Sequence, residues 1–512
     1  MRKLLLPVLL VFSLAAAAQK KNSVQSFAKT ITAEDMKRHL YTIAGPEMEG
    51  RDTPSPGLEK AATYIENHFK SIGLAPGNKD SYRQYYPIYK DSMTATGMMI
   101  NGTSLELSKD FQPNVAVNHT AEMRFSEVVF AGYGIVDGEL DAYKDLDVSG
   151  KLVMILDGSP SGYKPSVPGF GSPANAFVKI NRAQDRGAAA VLMVYANYPR
   201  KTFNSVSNYS LHGYRESIYP LSFSVSETVA EKIMGEAGKG ILEKMKANPF
   251  GPATFPAEVD LVYQKSSLTS QASNVIGFLE GTDKKDEYVI VTSHYDHVGK
   301  RTDGTIYYGA DDDGSGTTGI LELSEAFAKA KAAGKGPRRS MIFMTVSGEE
   351  KGLWGSEYYT NHPLYPLEKT TVDLNIDMIG RIGEEYLKDK DSTNYIYVIG
   401  DDKLSTDLTP ITEMINGKYA KLKLDRKYND PNDKNRFYYR SDHYNFAEKG
   451  VPVIFYFNGV HADYHKPTDT PDKINYPLMA KRGQFVFYTA WEMANRNEML
   501  KRDLKLDKPK GF

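Results

Sequence analysis

Four short runs of β-branched and other apolar residues in the second half of the chain each end on a cluster of ionisable side chains. Tyr288–Thr292 leads into His294, Asp296 and His297, and MIFMTV (341–346) leads into Gly348, Glu349 and Glu350. VDLNIDMIG (372–380) delivers Asp377, and VPVIFYFNG (451–459) precedes His461 and His465. Apolar runs of this length bounded by turn residues read as buried strands. Between the first two lies an amphipathic helical stretch, Thr317–Ala333, so strands and helices alternate. That alternation predicts an α/β fold with a mixed, mostly parallel sheet and helices on both faces. Open sheets of this kind hold ligands at the carboxyl ends of their strands, where each of these clusters falls.

The clusters converge on one kind of chemistry. Of 10 histidines in the chain, His294, His297, His443, His461 and His465 fall in this half, together with Asp311–Asp313, Glu349, Glu350 and Asp377. Side chains alternate along a strand, so His294 and Asp296 point the same way if the extended geometry persists, as a metal-ligating imidazole and its carboxylate partner would. The same alternation turns His297 to the opposite face, as a structural residue. There is no cysteine, which removes disulfides and thiol catalysis and leaves His, Asp and Glu to build any metal site. Lys and Arg number 63 against 64 Asp and Glu, a formal charge of -1 that offers no basic excess for nucleic acid or an anionic membrane.

The rest of the chain frames this half. Arg2 and Lys3, the apolar run Leu4–Leu14 and the small residues Ala15–Ala18 have the layout of a secretion signal over 1–18, too short in its apolar part for a membrane span. The mature protein is therefore expected to be exported, periplasmic or secreted, with no stable membrane anchor. Thr32 caps a predicted helix from Ala33, and a second runs over Leu58–Ser71; His39 and His68 on these helices read as packing or surface residues. From about Asp91 the character changes to short β-rich runs separated by Gly, Asp and Pro turns, with open loops at 159–173 and 198–219. At 512 residues the chain is long for one core. We divide it into a first enzyme segment, 30–91, an inserted β-rich module, 92–265, and a second enzyme segment, 266–512.

Five motifs, SHYDH (293–297), GADDDGSG (309–316), SGEEKGLWGS (347–356), LNIDMIG (374–380) and DYHKPTDT (463–470), resemble in order and spacing the signature of the M28 family of zinc metallopeptidases. The insert, with FAGYGI, VSGKLVMILDG and RAQDRGAAAVLMVY, looks like a protease-associated (PA) domain. The resemblance implies two zinc ions (Zn2+) per chain, with Asp312 bridging them, His294 and Asp377 on one and Glu350 and His465 on the other. It implies Glu349 as the general base and acid, Asp296 as the partner that orients His294, and Tyr464 as a donor to the oxyanion. Within DDDG, Asp311 is the competing choice for the bridge, and His461 competes with His465. Asp442 in RSDHYNF is left open between a pocket and a purely structural role, and His443 is unassigned. Such a set is chemically coherent: three carboxylates and a hydroxide offset the four positive charges of two zinc ions, and a free carboxylate beside the attacking water is the base that peptide hydrolysis needs. The implied function is an exported zinc-dependent exopeptidase acting on peptides, an aminopeptidase that removes N-terminal residues. The alternatives are a carboxypeptidase- or dipeptidase-like member, a one-zinc cyclase relative, or an inert peptide-binding protein.

Overall fold

The strands form because their residues can be buried on both faces. All eight residues of the strand Arg339–Val346 are buried, which is why MIFMTV reads as a continuous run; all seven of Thr370–Ile376 are buried too, its alternating Asp373 and Asn375 both accepting the Thr292 hydroxyl. The computed structural model describes residues 23–167, 171–199, 209–214, 218–247 and 251–506. The expected leader, 1–18, lies outside the described residues, as do parts of the 159–173 and 198–219 loops and the end of the charged tail. The chain divides into two units: described residues up to Tyr86 together with those from Gln271 onward, and residues between Pro87 and Ser270.

In the first unit we label the strands β1 (Lys284–His294), β2 (Arg339–Val346), β3 (Thr370–Ile376), β4 (Tyr395–Ile399), β5 (Lys423–Asp425) and β6 (Val453–Phe457). Their order is β5-β4-β6-β3-β1-β2, and residues Val275–Leu279 pair antiparallel along the outer side of β2. The central four, β6-β3-β1-β2, are parallel, and β4 runs against β6. The sheet is thus mixed and mostly parallel. Its register aligns His294 with Val346, Thr292 with Asn375 and Ile376 with Tyr456, so four carboxyl ends share one edge.

Helices cover both faces of this sheet. We label them α1 (Ala33–Ile43), α2 (Pro56–Ser71), α3 (Gly314–Ala332), α4 (Trp354–Asn361), α5 (His443–Glu448) and α6 (Tyr476–Asn495). Phe343 of β2 meets Phe327 of α3 at a ring separation of 5.8 Å, and Phe327 in turn meets Phe487 of α6 at 4.9 Å. Its neighbours Ile342 and Met344 belong instead to the core that includes Tyr359 of α4 and Phe446 of α5. Successive residues of one strand therefore feed opposite layers. Each such buried aromatic or aliphatic side chain contributes on the order of 1.5–3 kcal/mol.

The second unit holds a sheet of its own kind. Ala121–Phe130, Leu152–Leu156, Ala190–Val194 and Leu221–Val225 are parallel neighbours, with Ala253–Tyr263 antiparallel at one end and Phe111–Pro113 at the other. Three helices accompany it, Ala176–Asp185, Glu227–Met234 and Ile241–Ala247, so the module expected to be β-rich is itself α/β. Part of the predicted 198–219 loop is a strand, Tyr209–His212, paired with Tyr89–Ser92. Among the described residues no helix is long and apolar enough to cross a membrane.

Candidate functional site

The aligned carboxyl edge of the first unit brings the ionisable clusters together. His294 is the last residue of β1, and its Nε2 lies 3.3 Å from Asp312 Oδ1, 3.7 Å from Asp377 Oδ1 and 3.9 Å from Glu349 Oε2. His465 Nε2 lies 3.0 Å from Asp312 Oδ2 and 3.1 Å from Glu350 Oε2. Asp312 thus sits between the two imidazoles, one oxygen toward each. The sequence expectations for His294, Asp312, Glu349, Glu350, Asp377 and His465 all fall on residues of this one cluster.

Backbone geometry explains why GADDDGSG precedes α3. Asp313 is the residue before the helix, and its carboxylate accepts N–H groups of Gly316 (2.8 Å), Met378 (3.0 Å) and His294 (3.2 Å). Three backbone donors take up most of its acceptor capacity, whereas Asp312 Oδ2 is buried facing His465 Nε2 at 3.0 Å. Asp313 ties β1, β3 and α3 to one another; Asp312 is the neighbour free to ligate. A side chain at Gly316 would put its Cβ 2.3 Å from Ile376 O and from Asp313 Oδ2, so the tight packing of α3 against β3 requires glycine there. Asp311 Oδ1 accepts the Gly380 N–H at 2.7 Å, and its Oδ2 faces His461 Nε2 at 3.2 Å. Asp311 and His461 therefore pair with each other behind the Asp312 cluster.

Asp296 is placed to steady two groups. Its backbone carbonyl accepts Nδ1–H of His294 at 3.1 Å, which leaves Nε2 to face the cluster, and its carboxylate lies 3.7 Å from the same Nδ1. One carboxylate oxygen accepts the Glu349 N–H at 3.2 Å and the other the Thr53 hydroxyl at 3.1 Å. Tyr464 stacks on His465, ring centroids 3.9 Å apart, and its oxygen accepts from Arg440 Nη2 at 3.4 Å. His297 departs from the alternation argument. β1 ends at His294, so extended geometry does not reach residue 297, and its Nδ1 lies 2.9 Å from Glu350 Oε1 and 3.8 Å from Asp312 Oδ2.

Three supporting residues, Arg51, Ser441 and Asp469, carried no sequence signal strong enough to single them out, and the sequence leaves Asp442 open. Fully buried Arg51 donates from Nε to Tyr295 O (2.7 Å), from Nη1 to Ile43 O (2.8 Å) and Tyr308 O (2.9 Å), and from Nη2 to Gly309 O (2.9 Å). It fastens the 294–297 turn to the approach to DDDG. Burial lowers its pKa to about 10, and the charges of Asp296, Asp313, Asp312 and Asp469 work against that fall. Ser441 donates its hydroxyl to Asp377 Oδ2 at 2.6 Å and accepts from Asn375 Nδ2 at 2.9 Å. Asp469, within KPTDT, accepts the N–H groups of Asp311 (3.0 Å) and Asp312 (3.3 Å). Asp442 accepts the Ser356 hydroxyl at 2.5 Å, and burial first, then the charges of Asp296 and Asp377, push it up to about 7 against the pull of His294. Arg51, Met378 and His465 all adopt left-handed backbone, with φ of 54°, 61° and 54°. For residues with a Cβ each such conformation costs on the order of 1 kcal/mol or more, and they gather at this edge.

The donor set fits divalent cations. Two separate groups, His294 with Asp313 and Asp377, and His297 with Asp312 and Glu350, each bring three ligand atoms within 4.8 Å of one another. Asp312 Oδ2 and Glu350 Oε1 are buried without a hydrogen-bond partner, and burial together with Glu350, Asp377 and Asp442 drives Glu349 well above the carboxylate range, opposed by His294. Packed carboxylates and imidazoles of this kind suit a cation with nitrogen and oxygen preferences, of which zinc is the borderline-soft example. Beside the cluster a pocket is lined by His294, Asp312, Glu349 and Asp377 on one side and by Phe437, Phe455, Phe457 and Val460 on the other, with Arg440 and Tyr464 at its border.

Comparison with known proteins supplies the family. A probable glutamate carboxypeptidase LAMP1 of Arabidopsis thaliana is 30% identical over 159 residues, 31% of this chain and 21% of that protein. A probable leucine aminopeptidase of Arthroderma benhamiae is 30% identical over 288 residues, 52% of this chain and 74% of that protein. The chain thus spans about a fifth of the first relative and about three quarters of the second. Among solved structures, the aminopeptidase from Aneurinibacillus sp. strain AM-1 superposes with a TM-score of 0.51 at 20% identity, covering 94% of this chain and 99% of that one, which shows a shared fold. The model of peptidase family M28 matches residues 274–490, the stretch that carries all five motifs. With that match, and with the identity to most of the Arthroderma benhamiae protein, the chain belongs to peptidase family M28.

Proposed function

We propose that this chain is an exported zinc-dependent aminopeptidase that holds two zinc ions through His294, Asp312, Glu350, Asp377 and His465. The observation that carries this reading is the placement of the Asp312 carboxylate, one oxygen 3.3 Å from His294 and the other 3.0 Å from His465. A shared carboxylate between two ligand groups is what a paired-ion site requires. Two zinc ions there would polarise the scissile carbonyl and make water acidic enough to attack at neutral pH.

The chain's own side chains do the rest. Glu349, facing His294 across the cluster but outside the ligand set, takes a proton from the attacking water and returns it to the leaving amine. Asp296 fixes the His294 tautomer through its carbonyl and the Glu349 backbone through its carboxylate. Tyr464 directs its hydroxyl toward the developing oxyanion, with Arg440 donating to its oxygen. The carboxyl oxygens of Glu349 and Asp377, which line the pocket, are acceptors placed for a substrate ammonium. The aromatic wall of Phe437, Phe455 and Phe457 receives an apolar first side chain, so leucine- and phenylalanine-headed peptides are the preferred class. Arg440 at the pocket border favours a second reading, a carboxypeptidase in which that guanidinium holds a terminal carboxylate.

Export rests on the charged, apolar and small-residue segments of 1–18, and the unit within 87–270 is read as the PA-type insert. The test uses leucine-headed peptides with free, N-acetylated and C-amidated ends, before and after chelation and zinc return. We expect cleavage that needs a free amine, tolerates C-amidation, disappears on chelation and returns with two zinc equivalents. Glu349→Gln should retain zinc and lose on the order of 10²–10⁴ in kcat. Full activity of Glu349→Gln with normal zinc content would remove the base assignment, and loss of activity on C-amidation would transfer the case to the carboxypeptidase.

A further inference from the structure

Away from the carboxyl edge, three helices of the first unit bring a second set of ligating side chains together. His39 comes from α1, His68 and Tyr64 from α2, and Glu322 and Glu325 from α3. The sequence presents the two histidines as packing or surface residues because neither has an acidic or histidine partner at i+3 or i+4 in an inward-facing pair. The partners come from the neighbouring helices. The imidazoles meet edge to face, 4.9 Å apart and 89° between planes. Ligand atoms of His39, His68 and Glu325 all lie within 4.8 Å of one another.

The hydrogen bonds around these rings leave one nitrogen on each with a lone pair to give. His68 Nε2 lies 3.2 Å from Leu321 O, which can only accept, so that nitrogen carries the proton and Nδ1 is the donor atom. His39 Nδ1 is 2.8 Å from the Tyr64 hydroxyl, and in the tautomer that donates Nδ1–H to that oxygen Nε2 is the ligating atom. An imidazole whose second nitrogen is anchored to a carbonyl or hydroxyl is the arrangement that fixes a metal-ligating tautomer. Burial first, then His68 and Arg38, lowers the His39 pKa to about 4 against Glu325 and Asp35, which keeps it in the neutral, ligating form.

An independent observation points to a missing partner. His39 Nε2 and Glu322 Oε1 are both buried without a hydrogen bond, 3.5 Å apart, in side chains only 6% and 2% exposed. Polar atoms left unpartnered at that depth are costly unless something satisfies them. Glu325 has one oxygen paired with Lys329 at 2.6 Å, which leaves its other oxygen available. We infer that His39, His68 and Glu325 form a further transition-metal site, separate from the peptidase cluster, that clamps α1, α2 and α3 together with a zinc-type cation. Two imidazoles and a carboxylate select such a cation over calcium or magnesium. Glu322 supplies a carboxylate beside it.

The test counts metal on the full chain. Wild type, His68→Ala and Glu325→Gln are stripped with chelator, returned to excess Zn2+, dialysed and measured for zinc per chain, with leucyl-peptide hydrolysis and Tm recorded on the same samples. The expected result is one zinc fewer per chain in each variant than in wild type, unchanged kcat at saturating zinc, and a smaller zinc-induced rise in Tm. Substitution of Co2+ for zinc should give wild type a visible band that both variants lack in part. Glu325 is partly exposed, its side chain at 27%, so Glu325→Gln decides the matter if His68→Ala does not fold. Equal zinc content and equal Tm response in wild type and Glu325→Gln would overturn the site, whatever the peptidase assays show.

Discussion

Arg51→Lys tests whether the buried guanidinium is what aligns the two loops of the site. The native side chain gives four hydrogen bonds of 2.7–2.9 Å to the carbonyls of Ile43, Tyr295, Tyr308 and Gly309. These acceptors surround a planar fork, and lysine offers its three donors from one nitrogen, so two of the four bonds are expected to be lost. Bonds from a charged donor are worth roughly 1.5–3 kcal/mol each, which puts the loss at roughly 3–6 kcal/mol. Tm of the first unit should fall by on the order of 10 °C. Because Tyr295 lies between His294 and Asp296, and Gly309 opens the approach to Asp312, the ligand geometry should loosen with it. A misplacement of about 1 Å at such a site costs about 10²-fold, so kcat/KM on a leucyl peptide should drop by about that factor while far-ultraviolet dichroism at 25 °C stays native. Thermal melts and steady-state kinetics on the same preparation supply the assay. Wild-type Tm together with wild-type kcat/KM in Arg51→Lys would refute the reasoning, since the charge alone would then suffice and the fork would carry no weight.

Two further predictions follow from single contacts. Ser441→Ala removes the 2.6 Å hydrogen bond to Asp377 Oδ2 and should weaken zinc retention by about 10–100-fold with little change in fold, read by competition with a calibrated chelator; an unaltered zinc affinity would show that Asp377 is held without it. In the second unit Asp91 is buried, which opposes its ionisation, but Lys265, Ser267 and His212 outweigh burial and hold its carboxyl below the usual range. A depressed folded-state pKa contributes stability that is present above about pH 4 and lost as pH falls through the folded value. Hydrogen-exchange protection of Tyr209–His212, which pairs with the Asp91 strand, should therefore fall below about pH 4 in wild type. In Asp91→Asn that pH dependence should vanish and the strand should be weaker at pH 7 by roughly 2–3 kcal/mol. Identical pH profiles for the two proteins would contradict this.

What the sequence determined by itself was the four strands β1, β2, β3 and β6 and the identity of the groups at their ends, while β4 and β5 left no clear pattern. Continuous apolar runs such as MIFMTV can only be strands buried on both faces, and a parallel sheet made of them must gather His294, Glu349, Glu350 and Asp377 at one edge. The chemistry of the cluster was equally legible, since without cysteine only imidazole and carboxylate remained to build it. Local alternation failed at His297, because β1 stops at His294 and the next residues turn. Arg51, Ser441 and Asp469 left no local trace, for their work consists of hydrogen bonds to residues up to 258 positions away. The separate surroundings of Asp311, Asp312 and Asp313 were likewise tertiary: Asp311 faces His461, Asp312 faces His294 and His465, and Asp313 accepts backbone N–H groups of His294, Gly316 and Met378. For the same reason His39 and His68 look inert on their own helices, and acquire a common neighbour in Glu325 only when α3 packs against α1 and α2. Hydrophobic periodicity is encoded over a few residues and survives in the chain as written, whereas the direction in which a polar group spends its hydrogen bonds is settled only once distant backbone has arrived beside it.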